Sequence, residues 1–206
     1  MNSYISDIAD LENKDYKLYY SLMSDSRKKR VDKLNNLNDK KSTVLGEMLV
    51  KKHFGIDSII EYDNKGKPFL VNKEGFFSVS HSKGLVGVLV SDCQVGIDIE
   101  RIRKVNLNII KKVCTPKEKE YVKSGKDEEE KNLRLLEIWT FKEAYFKYLG
   151  TGITDFLSVD YFNDKIKRKK VITKEYIYHI VGEGFYALPK HSTPTDSRRR
   201  AIRTRL

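Results

Sequence analysis

The chain has 206 residues, of which 39% are hydrophobic and 11% aromatic, so it can bury a substantial core and wholesale disorder is excluded. Its longest apolar run, from Leu85 to Val90, is too short to span a bilayer, and the N-terminal stretch lacks the basic and apolar segments of a secretory signal. Two cysteines, Cys93 and Cys114, exclude a disulfide framework and a dedicated cysteine metal cage. We therefore expect a reduced, cytoplasmic protein that does not enter a membrane.

The charge is distributed unevenly over a chain whose net charge is +11. Residues 190–206 are rich in Arg, Ser, Thr and Pro and show no apolar periodicity. This composition predicts a disordered basic tail, or one derived from an expression vector. The rest of the chain is still basic, which favours an anionic partner such as a nucleotide, a phosphorylated cofactor or an acidic protein.

The first half of the chain predicts helices followed by strands. A basic, helix-compatible run covers residues 26–33, and a longer helix is predicted from about residue 39 to residue 54, where Gly55 can end it. Period-two segments separated by turn residues then predict strands. These strands are expected at residues 59–62, 68–71, 76–80, 85–90 and 95–100.

The second half repeats that order. Thr115-Pro116-Lys117-Glu118 is a helix start in which Thr115 can cap and Glu118 can reach back. A long helix is predicted from about residue 128 to residue 149, with Gly150 ending it. Its buried side is expected to carry Leu135, Ile138, Phe141, Tyr145 and Leu149. Strands are expected at residues 158–162, 165–173, 176–181 and 185–188.

The repeated order predicts an α+β fold in two lobes, residues 1–93 and residues 94–189, with any cleft between them. The first candidate site motif lies where the lobes meet, in Gly96-Ile97-Asp98-Ile99-Glu100. On a strand, Asp98 and Glu100 share the face opposite Ile97 and Ile99, so two carboxylates lie side by side. They are either solvated acids on an exposed face or ligands of a hard divalent ion such as Mg²⁺.

The second motif lies in the long helix, from Trp139 to Lys147. At helical spacing Trp139, Glu143 and Lys147 form one stripe, which Lys142 flanks. The acid and the lysines could complete a metal site and bind phosphates, or they could form an ordinary surface ion pair. Trp139 is interpreted as a core residue.

The third motif is Val79-Ser80-His81-Ser82, after Gly66-Lys67-Pro68. A hydroxyl, an imidazole and a lysine near a strand end could bind a diphosphate, or the strand could simply run into a polar turn. Ser80 and His81 are neighbours on a predicted strand and therefore face opposite ways, which argues against a Ser–His nucleophile pair.

Taken together, these motifs resemble those of the phosphopantetheinyl transferase superfamily. Asp98 and Glu100, followed about forty residues later by Lys142, Glu143 and Lys147, are similar to its two signature motifs. The segments around Lys67 and Ser80 resemble upstream motifs of its larger, surfactin-synthetase-activating branch. The matched region runs from about residue 24 to residue 153, and four motifs in order make the resemblance specific.

The resemblance implies a monomer of two similar α+β lobes, a pseudo-dimer in which each lobe packs a helix on a mostly antiparallel sheet, with the active site in the cleft. It implies transfer of the phosphopantetheine arm of coenzyme A, the co-substrate, to a serine of an apo acyl or peptidyl carrier protein, with release of adenosine 3′,5′-bisphosphate. It implies that Mg²⁺ is bound by Asp98, Glu100 and Glu143, and that Glu143 is also the candidate base. It implies that Lys147 stabilises or protonates the leaving phosphate. The residues that it implies as contacts of coenzyme A are Lys29, Lys67, Ser80, His81, Lys142 and Lys147.

Two other interpretations remain open. Acidic residues with neighbouring lysines also suit a Mg²⁺-dependent nuclease, although such enzymes usually place the acid and the lysine on adjacent strands. A non-catalytic RNA-binding module would rest mainly on the basic tail, and no stacking platform is evident. We expect no nucleic-acid partner.

Overall fold

The computed structural model describes residues 1–183, which form six α-helices and eight strands joined by short 3₁₀ turns. The predicted strand at residues 185–188 and the predicted tail at residues 190–206 lie outside the described residues. The helices are α1 Asn13–Ser21, α2 Asp25–Asp32, α3 Leu37–Phe54, α4 Ile110–Val113, α5 Pro116–Lys123 and α6 Glu128–Leu149. The strands are β1 Asn2–Asp7, β2 Ile60–Tyr62, β3 Pro68–Leu70, β4 Phe76–Ser82, β5 Leu85–Ser91, β6 Val95–Arg101, β7 Arg168–Ile172 and β8 Tyr176–Gly182.

Two three-stranded antiparallel sheets organise these elements, in the orders β1–β5–β4 and β6–β8–β7, and β2 pairs with β3 as a separate hairpin. The α+β class predicted from the sequence is confirmed. Each three-stranded sheet comes from one half of the chain, but the boundary at residues 93 and 94 and the arrangement of the halves as lobes stay predictions.

Three of the four buried hydrophobic clusters in residues 1–183 follow this layout. α3 packs on the first sheet through Leu45, Met48 and Val50, which are buried with Val86 and Val88 of β5. α6 contributes the largest cluster, around Leu135, Ile138 and Phe141, to the second sheet and the loops behind it. Between the sheets, Leu89 of β5 packs with Ile97 of β6 and Ile180 of β8. This shared core joins β5 of the first sheet to β6 and β8 of the second.

Most predicted helix ends coincide with capping chemistry. α3 ends at Gly55, whose φ of 108° is positive and therefore favours glycine, and α6 ends at Gly150, which has the left-handed helical conformation with φ of 68°. The start of α5 is a capping box in which Thr115 and Glu118 each bond the other's backbone N–H. Local sequence signals therefore fix these boundaries to within two or three residues.

Two expectations are wrong. Residues 158–162 do not form a strand, because side chains take their backbone donors: the Tyr161 N–H donates to Glu118 Oε1 at 2.6 Å and the Phe162 N–H to Asp160 Oδ1 at 2.9 Å. Leu149 does not line the buried side of α6, since it lies in the last turn and is 41% exposed. In the first place, the tertiary contact from Glu118 and the local one from Asp160 override the strand pattern.

Candidate active site

β6 supplies two acids to the space beneath α6. Ile97 and Ile99 are fully buried on the core face of the strand, and the opposite face carries Gly96, Asp98 and Glu100. Asp98 is 5% exposed. The interpretation of this face as a pair of solvated acids is therefore wrong, because burial puts the carboxylates in a setting that needs compensating charge.

α6 reaches this face because Gly96 has no side chain. A Cβ at position 96 would collide with the carbonyl oxygen of Ala144 and would lie 2.5 Å from the backbone nitrogen of Tyr148. The helix backbone therefore rests directly on the strand. Glu143 and Lys147 flank this contact point on α6, and the close approach brings both beside Asp98.

An ion pair joins the two elements. Lys147 Nζ lies 2.7 Å from Asp98 Oδ1, and the other carboxylate oxygen, Oδ2, is buried without a hydrogen-bond partner in the described part of the chain. Burial, together with the negative charges of Asp98 and Glu100, raises the pKa of Glu143 to about 7 against the opposing effect of Lys147. The three carboxylates thus lie close enough to repel one another.

Glu100 lies in a similar environment at the rim of the site. Burial is the main reason that its pKa is raised; Asp98 adds to this effect, whereas a hydrogen bond from Ser82 and the nearby Arg103 oppose it. Its Oε2 accepts the Ser82 hydroxyl and lies 3.4 Å from Arg103. Asp98 and Glu100 therefore place two neighbouring negative charges on one strand face, and Ser82 and Arg103 offset part of the charge at Glu100.

This donor set fits a divalent cation in charge and in atom type, because hard cations prefer carboxylate oxygens and one buried oxygen of Asp98 has no partner. The side chains do not converge as a finished metal site, however. Among residues 1–183, no group of three His, Cys, Asp or Glu side chains is arranged to hold a metal ion. Lys147 offsets the charge of Asp98, and Arg103 offsets that of Glu100.

Ser80 and His81 face opposite ways on β4, as the strand pattern predicts. Ser80 is buried, and its hydroxyl donates to Asp98 Oδ1 at 2.6 Å. His81 belongs to the exposed residues, yet desolvation by the surrounding protein lowers the pKa of its ring, and Lys147 lowers it further. Both therefore lie near the carboxylates, but Ser80 is engaged by a protein side chain.

A pocket of about 290 Å³ opens beside the carboxylates and is lined by Lys65, Lys67, Glu143, Lys147 and Gly150, among other residues. Lys67 crosses the end of α6, where its Nζ donates to the Tyr148 carbonyl at 3.2 Å, and burial lowers its pKa. Three lysines and one acid on a concave surface suit a phosphorylated ligand.

Lys142 is the clearest departure from the expected site. Its side chain is fully buried, and Nζ donates to Glu118 Oε2 at 2.6 Å and to the carbonyls of Val113 and Phe156 at 2.8 and 2.9 Å. The predicted contact of Lys142 with coenzyme A is therefore corrected: all three donors of the ammonium are engaged inside the protein, so Lys142 ties α5 to α6. Glu118 has the same structural role.

Lys29 is exposed on α2, and within residues 1–183 no hydrogen bond or ion pair joins it to the carboxylates. Two residues that matter for this geometry had no assigned role in the sequence. Gly96 allows the backbone of α6 to pack directly on β6, and the Ser82 hydroxyl donates a hydrogen bond to Glu100. The alternation of Ser78, Ser80 and Ser82 was the available signal for the serines, because alternate strand residues share a face.

Comparison of the sequence with known proteins points to one superfamily. A sequence model of the 4′-phosphopantetheinyl transferase superfamily matches residues 94–196. The 4′-phosphopantetheinyl transferase gsp of Aneurinibacillus migulanus is 30% identical over 148 residues, which are 68% of this chain and 61% of the relative. Psf-1 of Bacillus pumilus, also a 4′-phosphopantetheinyl transferase, is 31% identical over 66% of this chain and 61% of its own length.

A further relative is the 4′-phosphopantetheinyl transferase Sfp of Bacillus subtilis strain 168, which is 24% identical over 80% of this chain and 76% of its own length. The chain spans 61% of the length of gsp and of psf-1. No helix among residues 1–183 is long and apolar enough to cross a membrane. The family match covers half of the sequence and includes the motifs of β6 and α6, so the chain belongs to the 4′-phosphopantetheinyl transferase superfamily, among its Sfp-like members.

Proposed function

We propose that this protein transfers the 4′-phosphopantetheine group of coenzyme A to a serine of an acyl or peptidyl carrier protein, with Mg²⁺ as cofactor. The observation that carries the proposal is that Glu143 and Lys147 line a pocket with two further lysines, while Lys147 is also paired with Asp98. The names of the relatives gsp, psf-1 and Sfp support the same activity.

Substrate binding is proposed to begin with the basic side of the pocket. Lys67 and Lys147 supply ammonium groups for the diphosphate of coenzyme A. His81 lies close enough to Lys147 for the positive charge of Lys147 to lower the pKa of the imidazole. Lys29, exposed on α2, stays a predicted contact of the nucleotide 3′-phosphate. Phosphoryl transfer depends mainly on positioning and charge neutralisation, and these groups provide both.

The carboxylates are proposed to hold the metal and to accept the proton. Asp98, Glu100 and Glu143 would hold Mg²⁺, which supplies neutralisation of the diphosphate charge when bound. With its pKa raised to about 7, the Glu143 carboxylate is suited to take the proton of the carrier serine at neutral pH.

The covalent step exchanges one phosphorus–oxygen bond for another. The serine oxygen forms a bond to the phosphorus that carries the pantetheine arm, and the bond from that phosphorus to the bridging oxygen breaks. Lys147 stabilises or protonates the departing phosphate, which leaves as adenosine 3′,5′-bisphosphate. Removal of the proton activates the hydroxyl, which is otherwise a weak nucleophile.

The test is mass spectrometry of an apo-carrier protein after incubation with coenzyme A, Mg²⁺ and the purified protein. We expect the phosphopantetheine mass gain with the wild type, and a loss of at least about 100-fold in rate for Asp98→Ala and Glu143→Ala. Circular dichroism should show that both variants remain folded. Normal turnover in either variant would remove that residue from the proposed machinery.

The same preparations separate the alternatives. Degradation of DNA or RNA in the presence of Mg²⁺, without any gain in carrier mass, would support the nuclease interpretation instead. A monomer in the cytoplasm remains a prediction, which size-exclusion chromatography and cell fractionation can test.

A further inference from the structure

A ladder of serine hydroxyls connects the edges of the two sheets. β4 and β6 are neighbours, but each pairs by backbone hydrogen bonds with a strand of its own sheet. Alternate N–H groups along β6 point toward β4 and are accepted there by side-chain oxygens. The donors are Ile97, Ile99 and Arg101, and the acceptors are the hydroxyls of Ser78, Ser80 and Ser82, at 3.1, 3.3 and 3.5 Å.

Two of the three hydroxyls also donate to an acid of the candidate site. Ser80 donates to Asp98 Oδ1 at 2.6 Å, and Ser82 donates to Glu100 Oε2 at 2.5 Å. A serine hydroxyl has one proton, and it accepts the β6 amide through a lone pair, so its proton is free for the carboxylate. Ser78 accepts its amide in the same way, but within residues 1–183 its hydroxyl makes no hydrogen bond to a carboxylate.

This arrangement fixes one oxygen of each acid and leaves the other available. Asp98 is 5% exposed, and its Oδ2 is buried with no hydrogen-bond partner in the described residues. Partners that orient a ligating carboxylate typically change metal affinity by about 10–100-fold when they are removed. The ladder therefore has a consequence for ligand geometry as well as for the joining of the sheets.

We propose that Ser80 and Ser82 are positioning residues whose hydroxyls hold Asp98 and Glu100 in the orientation needed to share a divalent cation. The identity of that cation rests on the proposed function. The role differs from the phosphate contact that the sequence assigns to Ser80, because the only proton of this hydroxyl is donated to Asp98 and one of its two lone pairs accepts the Ile99 N–H. Ser82 has no other assigned role.

The experiment measures Mn²⁺ binding to the full-length protein by electron paramagnetic resonance, with and without coenzyme A. We expect Ser80→Ala and Ser82→Ala to bind Mn²⁺ roughly 10–100-fold more weakly than the wild type. The matched control is Ser78→Ala, which loses the same kind of amide contact but no carboxylate bond, and its affinity should stay within about twofold. Ser82→Thr keeps the hydroxyl and should restore binding.

Thermal unfolding separates positioning from simple destabilisation. All three alanine variants lose an amide contact of the ladder, and Ser80→Ala and Ser82→Ala lose a carboxylate bond as well. The melting temperature should therefore fall in all three variants, whereas Mn²⁺ affinity should fall only in the two that lose a carboxylate bond. Ser82→Cys, which preserves size and weakens the donor, replaces Ser82→Ala should the latter fail to fold, and should also weaken binding.

Equal Mn²⁺ affinity in the Ser78 and Ser82 variants would overturn the positioning role, as would a wild type that binds no Mn²⁺ under either condition. Transfer to an apo-carrier by the wild type is measured separately. Absence of transfer together with the expected order of Mn²⁺ affinities would refute the proposed function and leave the positioning role supported.

Discussion

A methyl group at position 96 would collide with the backbone that carries the candidate catalytic residues. In Gly96→Ala, the new Cβ would lie 2.5 Å from the backbone nitrogen of Tyr148, whereas ordinary contact begins at 3.4 Å. The carbonyl oxygen of Ala144 lies in the way as well. Neither atom belongs to a flexible side chain, so relief requires α6 to move away from β6 by about 1 Å.

Overpacking of this kind typically costs about 1–3 kcal/mol, and a collision with backbone belongs at the upper end. A loss of about 3 kcal/mol would lower the melting temperature by about 6–12 °C for a chain of this size. The same movement displaces Glu143 and Lys147, and a misplacement of about 1 Å can reduce a catalytic rate by about 100-fold.

Differential scanning calorimetry and the carrier mass assay measure the two effects. Gly87→Ala is the matched control, because a Cβ there would meet methyl groups of Ile5, Ile97 and Ile99 at 3.3 Å, and side chains can adjust. We expect it to cost about 1 kcal/mol and to leave transfer nearly unchanged. A Gly96→Ala protein that melts within about 2 °C of the wild type and retains full activity would refute the reasoning.

Two further predictions concern buried polar groups. Lys142→Met alone should destabilise the fold by about 3–5 kcal/mol, because it leaves Glu118 as an unpaired buried acid. The double variant Lys142→Met with Glu118→Gln should lose less stability. Denaturant titration measures both free energies of unfolding, and equal losses would contradict the pairing. Burial lowers the pKa of His179 to about 3, below the ordinary value of 6.5. The contribution of the neutral ring to stability is therefore fully present above pH 6.5 and is lost as the pH falls toward 3. This loss reaches up to about 1.4 kcal/mol per pH unit. In thermal unfolding, the melting temperature of His179→Leu should therefore fall less steeply than that of the wild type as the pH is lowered, and an equal fall in both proteins would contradict the prediction.

The physical basis of the His179 prediction is its hydrogen bonding. Nδ1 lies 2.7 Å from Thr140 Oγ1, while Nε2 is buried with no partner in the described part of the chain. A proton added at Nε2 would place a positive charge where no acceptor receives it.

The sequence by itself determined most of the helices and strands, although not β1 or α1, and the chemistry of single motifs. Short-range patterns predicted α3, α6 and the capping box at Thr115, because caps and left-handed glycines act within a few residues. Strand alternation placed Asp98 and Glu100 on one face and separated Ser80 from His81. The motif spacing was sufficient to suggest the superfamily that the comparisons support.

Tertiary structure decided which polar groups face the pocket and which are engaged inside the protein. Lys142 and Lys147 lie five residues apart on one helix, yet Lys142 is buried against Glu118, and Lys147 reaches Asp98. Helical spacing gives the direction of a side chain relative to its own axis, but not the partner that the next layer presents. For the same reason, the serine ladder and the contact of α6 with Gly96 emerge only when β4, β6 and α6 are packed together, because each depends on atoms far apart in the chain.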